Sequence, residues 1–228
     1  MKARARIIGG VYLAYFLTAI AGGLLTPGTG FGPGGVSNDA AGFARSVLSD
    51  EALYQFGVGI GLLSTVLYVA LIALFYQLFR PVSRTSSLLF AFFGLAGCVI
   101  TAVGSVFQIA PIVILHSGGG LDTAQLQSLA LLFVHINAAA GAVALVFFGS
   151  FQLFLGYVIY RSTFLPRFIG VLIAVAGVGW LIYAYPPVAG VIAGPTGILG
   201  FAAEAALMLW LLVMGVNAER AAASVAGS

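Results

Sequence analysis

The stretch Leu129–Tyr160 reads LALLFVHINAAAGAVALVFFGSFQLFLGYVIY and contains no Asp, Glu, Lys or Arg. About 20 apolar helical residues are enough to cross roughly 30 Å of hydrocarbon, and this stretch is longer than that. Lipid offers no hydrogen bonds to the backbone, so a segment this long and apolar must be helical inside a membrane. The stretch therefore predicts a transmembrane helix.

Five further apolar stretches accompany this span. They run over Ile7–Leu25, Tyr54–Phe79, Ser86–Leu115, Pro166–Ala184 and Gly197–Val216. Charged residues make up only 7% of the 228 residues and hydrophobic residues make up 61%. A soluble domain carries about 25% charged residues. We therefore predict an all-α, polytopic membrane protein, with residues 1–228 forming a single domain, a bundle of six transmembrane helices.

The basic residues predict the orientation of the chain. With six spans, only Arg45 falls on one side of the membrane, and eight basic residues fall on the other. Those eight are Lys2, Arg4, Arg6, Arg80, Arg84, Arg161, Arg167 and Arg220. Because cytoplasmic loops carry the excess of Lys and Arg, both chain ends are predicted to be cytoplasmic. We interpret the first span as an uncleaved helix, although Ala19-Ile20-Ala21 has the form of a signal-peptide cleavage site.

Helices longer than the bilayer predict a small cap on the outer side. Ser49 can cap a helix whose first turn holds Asp50 and Glu51 and which continues to Phe79. The segment Asp39–Leu48 either joins such extensions in a cap or forms a short interfacial helix. The outer loops are predicted at residues 26–36, 118–120 and 186–195.

The fourth predicted helix is the longest. Asp122 and Gln125 have the spacing of a reciprocal capping pair. A helix from Thr123 to Tyr160 would be about 57 Å long at 1.5 Å per residue. It has to tilt, break near His135–Gly141, or project from the membrane.

Small residues recur on single helical faces. One set is Gly57, Gly61 and Ser64, and another is Gly170, Ala174 and Gly177. Small residues let membrane helices approach closely, so these faces predict helix contacts. A ligand groove is the alternative interpretation.

Glu204 is the only acid within a predicted span. A charged side chain at the centre of a membrane helix costs about 2.5–3.5 kcal/mol on insertion scales, so Glu204 should face the bundle and find a partner. It is a candidate proton-binding or ligand-binding residue. The alternative is an acid near the outer interface that is hydrogen-bonded to another helix.

Two further residues lie at a comparable predicted depth. His135 and Gln108 belong to antiparallel neighbouring spans, and we name both as candidate partners of Glu204 in a ligand or proton site. A buried, hydrogen-bonded structural histidine is the other interpretation of His135. Gln55, Gln77 and Gln152 are amides that can form hydrogen bonds between helices without any ligand.

Several chemistries are excluded or unsupported. A single cysteine, Cys98, excludes an intrachain disulfide and CxxC chemistry, and a lone Lys2 excludes a Schiff base on a lysine within the membrane. Walker, HExxH and G-x-S-x-G motifs do not occur. We predict no catalytic residue, metal, cofactor or nucleic-acid partner.

Three functions remain open. We favour a non-enzymatic bundle that binds a partner protein, a lipid or an apolar small molecule, because catalytic motifs do not occur. The first alternative is a proton-coupled transporter or channel that uses Glu204, and the second is a membrane enzyme. A polar path from Glu204 to both membrane faces would favour transport, and a closed apolar cavity would favour binding.

One set of motifs resembles a known family. The residues are Arg6, Gly9, Tyr12, Arg80-Pro81-Val82, Phe147-Phe148-Gly149, Gly156, Tyr160–Arg167, Gly170 and Leu172. They resemble a bacterial family of small multi-pass membrane proteins known as domain of unknown function 4386. The glycine-rich segment Thr26–Val36 departs from the family pattern. The resemblance implies six helices and a bacterial cytoplasmic membrane, and it implies no activity and no site residues.

Overall fold

The computed structural model describes residues 2–26, 37–117 and 120–216. Within these ranges the chain forms seven α-helices and one short 3-10 turn, with no strand. The helices are α1 (Lys2–Leu25), α2 (Ala40–Ser49), α3 (Glu51–Phe79), α4 (Arg84–His116), α5 (Thr123–Arg161), α6 (Arg167–Leu181) and α7 (Pro186–Val213), and the 3-10 turn is Ile182–Ala184.

Six segments are long and apolar enough to cross a membrane. They are Ala3–Leu25, Glu51–Phe79, Arg84–His116, Thr123–Arg161, Arg167–Ala184 and Gly194–Val213. The prediction of an all-α, multi-pass membrane protein with six spans is thereby confirmed. The orientation rests on the charge bias and stays a prediction, and Arg220 lies outside the described residues.

The last helix begins earlier than predicted. The outer loop expected at residues 186–195 is instead the start of α7, which begins at Pro186. Proline suits the first turn of a helix because the backbone N–H groups there have no helical partner. Pro195 lies inside the helix, where it removes one backbone hydrogen bond. The loops predicted at 26–36 and 118–120 lie largely outside the described residues.

The helix caps confirm one prediction and correct another. The Asp122 carboxylate accepts from the Gln125 backbone N–H at 2.8 Å, and the Gln125 side-chain oxygen accepts from the Asp122 N–H at 2.9 Å. The predicted capping pair is therefore present. The cap of α3 is Asp50 rather than Ser49, because the Asp50 carboxylate accepts from the Leu53 N–H at 3.0 Å.

The fourth long helix runs without a break. Of the three options for so long a helix, a break near His135–Gly141 is wrong, since α5 is one α-helix over Thr123–Arg161. Ser128 and Ser150 inside it donate to backbone carbonyls four residues earlier in the same helix, and the helix continues through both positions.

The described chain divides into two compact units. The first holds residues 2–14, 67–98 and 142–216, and the second holds residues 15–26, 37–66, 99–117 and 120–141. The boundaries fall inside α1, α3, α4 and α5 and not in linkers. The expectation of a single domain over residues 1–228 stays a prediction.

The second unit contains the Asp39–Leu48 segment, for which the sequence left a cap and an interfacial helix open. Asp39 caps α2 by accepting from the Gly42 N–H at 2.9 Å. Phe43 and Val47 of α2 belong to a buried core shared with α3, α4 and α5. The other buried members are Tyr54, Val58, Ile112, Ala130, Leu131 and Val134. The Asp39–Leu48 segment is therefore a packed part of this unit and not an isolated interfacial helix.

The first unit holds close contacts between α5 and α6. A Cβ placed on Gly177 would lie 2.8 Å from the Gly149 carbonyl oxygen, and a Cβ on Gly156 would lie 2.6 Å from the Gly170 carbonyl oxygen. Real Cβ atoms do not approach backbone this closely, so these positions require glycine. The predicted small face on α6 is confirmed as a helix contact.

Candidate functional site

Glu204 lies on α7 in the first unit and takes part in a contact between helices. Its Oε1 atom accepts a hydrogen bond from the Gln152 side-chain Nε2 atom at 2.6 Å. Gln152 belongs to α5, so this bond joins two helices that are distant in sequence. The side chains of Ala203 and Leu207 beside Glu204 are completely buried, which fixes this face of α7 against its neighbours.

Tyr12 on α1 is the second partner. Its side chain is a hydrogen-bond partner of the Glu204 carboxylate. Only 1% of Tyr12 is exposed, and its ring packs edge-on against Phe75, with the ring centres 5.8 Å apart. The phenol O–H donates and the carboxylate accepts. Three helices therefore meet at one carboxylate, and we call Tyr12, Gln152 and Glu204 the Glu204 cluster.

Gln152 is more deeply buried than Glu204. Its exposed fraction is 0%, whereas Glu204 is only partly buried. Its Oε1 atom is buried and has no hydrogen-bond partner among the residues that the structure describes. Buried polar atoms in proteins are almost always paired, and an unpaired one costs about 1–3 kcal/mol. The cluster therefore has one hydrogen-bonding position unfilled.

The glycine contacts between α5 and α6 determine the position of the Gln152 side chain. A Cβ on Gly177 would come within 3.1 Å of the Gln152 Cβ atom, so the close approach of α6 fixes the backbone from which Gln152 projects. Without the small residues, α5 would stand farther from α6 and the amide would shift. The α5–α6 contact is in this sense part of the site.

The carboxylate has no basic partner in the described part of the chain. The ion pair found there joins His116 to Glu51 at 3.5 Å and does not involve Glu204. The contacts of Glu204 are instead two neutral donors, the amide of Gln152 and the phenol of Tyr12. A charged carboxylate at this position would need water or a cation in addition to these two donors.

The predicted partners Gln108 and His135 belong to the second unit. Neither is among the hydrogen-bond partners of Glu204 that the structure describes. His135 is exposed and not buried as one interpretation had it, and Gln108 is partly buried, with its backbone carbonyl accepting from the Tyr54 hydroxyl at 2.8 Å. A role for Gln108 or His135 in ligand binding stays a prediction.

Two residues of the cluster could only partly be found from sequence. Gln152 is recognisable as an amide able to bond between helices, and this role is confirmed. Tyr12 stood out only as part of the family resemblance. The available signal for both is a polar side chain in the middle of an apolar span, which does not say which helix it faces.

An apolar groove also lies in the first unit. It has a volume of about 390 Å³ and is open on one side. Its walls are Val69, Ile72, Ala73, Tyr76, Leu88, Ala91, Phe92 and Leu95 of α3 and α4. This groove is not the closed cavity that would favour an apolar small molecule.

The chain belongs to the family described as domain of unknown function (DUF4386), whose model matches residues 7–215. The match includes all three members of the Glu204 cluster. No curated protein and no solved structure matches the chain.

Proposed function

We propose that this chain is a non-enzymatic, multi-pass protein of a bacterial cytoplasmic membrane that binds a small ligand at the Glu204 cluster. Its partners are then the lipid bilayer and that ligand. The observation that carries the proposal is the buried Oε1 atom of Gln152, which has no partner in the described part of the chain while its neighbouring Nε2 atom bonds to Glu204.

The unfilled position does not depend on how the amide is oriented. Oxygen and nitrogen of a glutamine amide are assigned from their hydrogen bonds. Rotating the Gln152 amide by 180° would pair its oxygen with a protonated Glu204 and would leave its NH₂ group unpaired instead. In either orientation one polar atom of the Gln152 side-chain amide lacks a described hydrogen-bond partner.

A purely structural contact accounts less well for this arrangement. Cross-helix polar bonds in membranes contribute about 0.6 kcal/mol on average, which is less than the cost of one buried unpaired polar atom. A glutamine that served only to join α5 to α7 would therefore give little net stability here. A bound ligand that completes the cluster removes the cost.

Thermal unfolding in lipid nanodiscs tests the proposal. A panel of monovalent salts, divalent salts, primary amines and neutral amino acids is added to wild type, to Glu204→Gln and to the control Gln55→Leu. At 100 times its dissociation constant, a ligand stabilises the folded state by about 2.7 kcal/mol. We expect at least one compound to raise the melting temperature of wild type and of Gln55→Leu but not of Glu204→Gln. If no compound in the panel behaves in this way, the proposal is overturned.

The proposed orientation has its own test. Thr123 and Thr163 are both exposed; Thr123 is the first residue of α5, and Thr163 follows the last residue of α5 by two positions. In a Cys98→Ala background, a membrane-impermeant maleimide added to intact cells should label Thr123→Cys and not Thr163→Cys. Labelling of Thr163→Cys from outside would reverse the orientation.

Proton-coupled transport is a second candidate, because Glu204 is the only acid within the spans predicted from sequence and has only neutral described partners. Proteoliposomes that hold a pH-sensitive dye distinguish the two functions. Transport predicts proton movement that Glu204→Gln abolishes, whereas binding alone predicts none.

A further inference from the structure

We infer that the ligand of the Glu204 cluster is a monovalent cation bound by oxygen atoms of Glu204, Gln152 and Tyr12. The inference rests on the proposed function and specifies its ligand. It starts from the types of atom that surround the unfilled position.

The atoms available to a ligand are acceptors. The Gln152 Nε2 atom is occupied by the 2.6 Å bond to Glu204, and the buried Oε1 atom on the same amide has no partner among the described residues. The carboxylate can accept more bonds than the two it receives, and a phenol oxygen that donates its proton is still able to accept. A carboxylate from α7, an amide from α5 and a hydroxyl from α1 therefore belong to one hydrogen-bonded group.

The orientation of the amide follows from an ionised Glu204. The reversed amide would require a protonated Glu204, because the Gln152 oxygen can accept only from an O–H group. An ionised carboxylate only accepts hydrogen bonds, so the Gln152 Nε2 atom faces it, as the structure shows. The Gln152 oxygen is then the atom without a described partner, and it requires a donor or a cation.

The single negative charge of Glu204 favours a ligand with a single positive charge. Glu204 contributes one negative charge, and Gln152 and Tyr12 contribute none. A monovalent cation leaves the cluster neutral, whereas a divalent cation leaves a net positive charge. Net charge is costly within a membrane span, so the monovalent ion is favoured.

The ligand types favour a hard ion. Carboxylate and carbonyl oxygens suit hard cations, and imidazole and thiolate suit transition metals. Within the described residues, no group of three or more His, Cys, Asp or Glu side chains could hold a metal ion. The cluster offers only oxygen, from one acid, one amide and one phenol.

The test uses Na⁺ as the probe on the full-length protein in nanodiscs. Binding of radioactive ²²Na⁺ and the melting temperature are measured in NaCl and in N-methyl-D-glucamine chloride at equal ionic strength. For wild type we expect saturable binding of one ion and a higher melting temperature in NaCl. K⁺ in place of Na⁺, with the same dependence on Glu204, supports the inference equally.

Three variants and one control make the test specific. Glu204→Gln should abolish binding, and Gln152→Met should weaken it at least tenfold, since methionine keeps the side-chain length but offers a soft thioether. Tyr12→Phe should weaken binding by a smaller factor. Gln55→Leu should bind as wild type does. Cooperative melting of each variant in N-methyl-D-glucamine chloride shows that it is folded.

The outcomes separate the inference from the proposed function. If only an organic amine or a divalent ion stabilises wild type through Glu204, the inference is overturned and the proposed function stands. Unchanged Na⁺ and K⁺ binding in Gln152→Met also overturns the inference. If no compound in the panel acts through Glu204, both are overturned.

Discussion

Two glutamine–glutamate hydrogen bonds in this protein use the same pair of groups in opposite surroundings. In the second unit, Gln55 donates to Glu51 at 2.9 Å, four residues away on α3, and both side chains are solvent-facing in the bond. In the first unit, Gln152 donates to Glu204 at 2.6 Å across 52 residues of sequence, with Gln152 fully buried.

The difference shows that surroundings, and not the pair itself, give the buried contact its significance. Water or lipid headgroups can satisfy every remaining atom of an exposed pair, so such a bond within one helix contributes about 0.2–0.5 kcal/mol. The Gln152 side chain has no such supply, because it is fully buried, and its remaining oxygen needs a hydrogen-bond partner from protein or ligand. The unpaired Gln152 oxygen matters for this reason, and a free atom on Gln55 would not.

The largest effect is expected where the buried pair is held in place. Gly177→Leu forces a side chain against the Gly149 carbonyl and against Gln152. Overpacking of this kind costs about 3 kcal/mol at the upper end of the usual range. Unfolding of purified protein in mixed detergent and SDS micelles measures the loss. Leu181→Ala, on the same helix and partly exposed, is the control and should lose less. Equal stabilities of Gly177→Leu and wild type would show that α6 does not hold the buried pair.

The second effect concerns Glu204, the acid that Gln152 contacts. Glu204→Leu leaves the Gln152 amide and the Tyr12 hydroxyl without their acceptor, and we expect a loss of about 2 kcal/mol. Glu204→Gln keeps both hydrogen bonds and should lose less than about 0.5 kcal/mol. The same micelle unfolding assay applies, with Glu51→Leu as the matched change in the exposed pair. A loss in Glu51→Leu as large as that in Glu204→Leu would remove the distinction between the two surroundings.

Mutation of a third acid–glutamine pair should cost an intermediate amount of stability. Asp122 and Gln125 bond to each other's backbone N–H groups at the start of α5 and not to each other's side chains. Removing a helix cap costs about 1 kcal/mol, so Asp122→Ala should fall between Glu204→Leu and Gln55→Ala. Hydrogen exchange should increase at the first turn of α5 and not elsewhere. Faster exchange throughout α5 would indicate that the cap holds more than its own turn.

The smallest effect is expected at the exposed pair. Gln55→Ala removes one side-chain bond on the surface of α3 and should change stability by about 0.3 kcal/mol. Glu51 also lies 3.5 Å from His116, an exposed ion pair whose contribution is about 0–1 kcal/mol. His116→Gln should therefore be similarly mild, and a loss above about 1 kcal/mol in either variant would contradict the exposed setting of the Gln55–Glu51 pair.

The spans could be predicted because hydropathy over about 20 residues is a property of the chain alone. The Asp122–Gln125 cap could be predicted because it is local. The partners of Glu204 could not, because they depend on how α1, α5 and α7 rotate and tilt against one another. Side chains on one helix differ in direction by about 100° per residue, so a small rotation exchanges one candidate partner for another. The start of α7 was missed because prolines at residues 186, 187 and 195 are typical of loops.

The glycine pairs between α5 and α6 also limit how this chain can change in length. Gly149 faces Gly177 and Gly156 faces Gly170, with equal spacing on the two antiparallel helices. One residue inserted between Gly149 and Gly156 would turn one glycine about 100° away from its partner and place a side chain against backbone. Residues added in the turn between α5 and α6 would leave both pairs aligned. Insertions and deletions that natural selection tolerates in this hairpin should therefore be confined to residues 162–166.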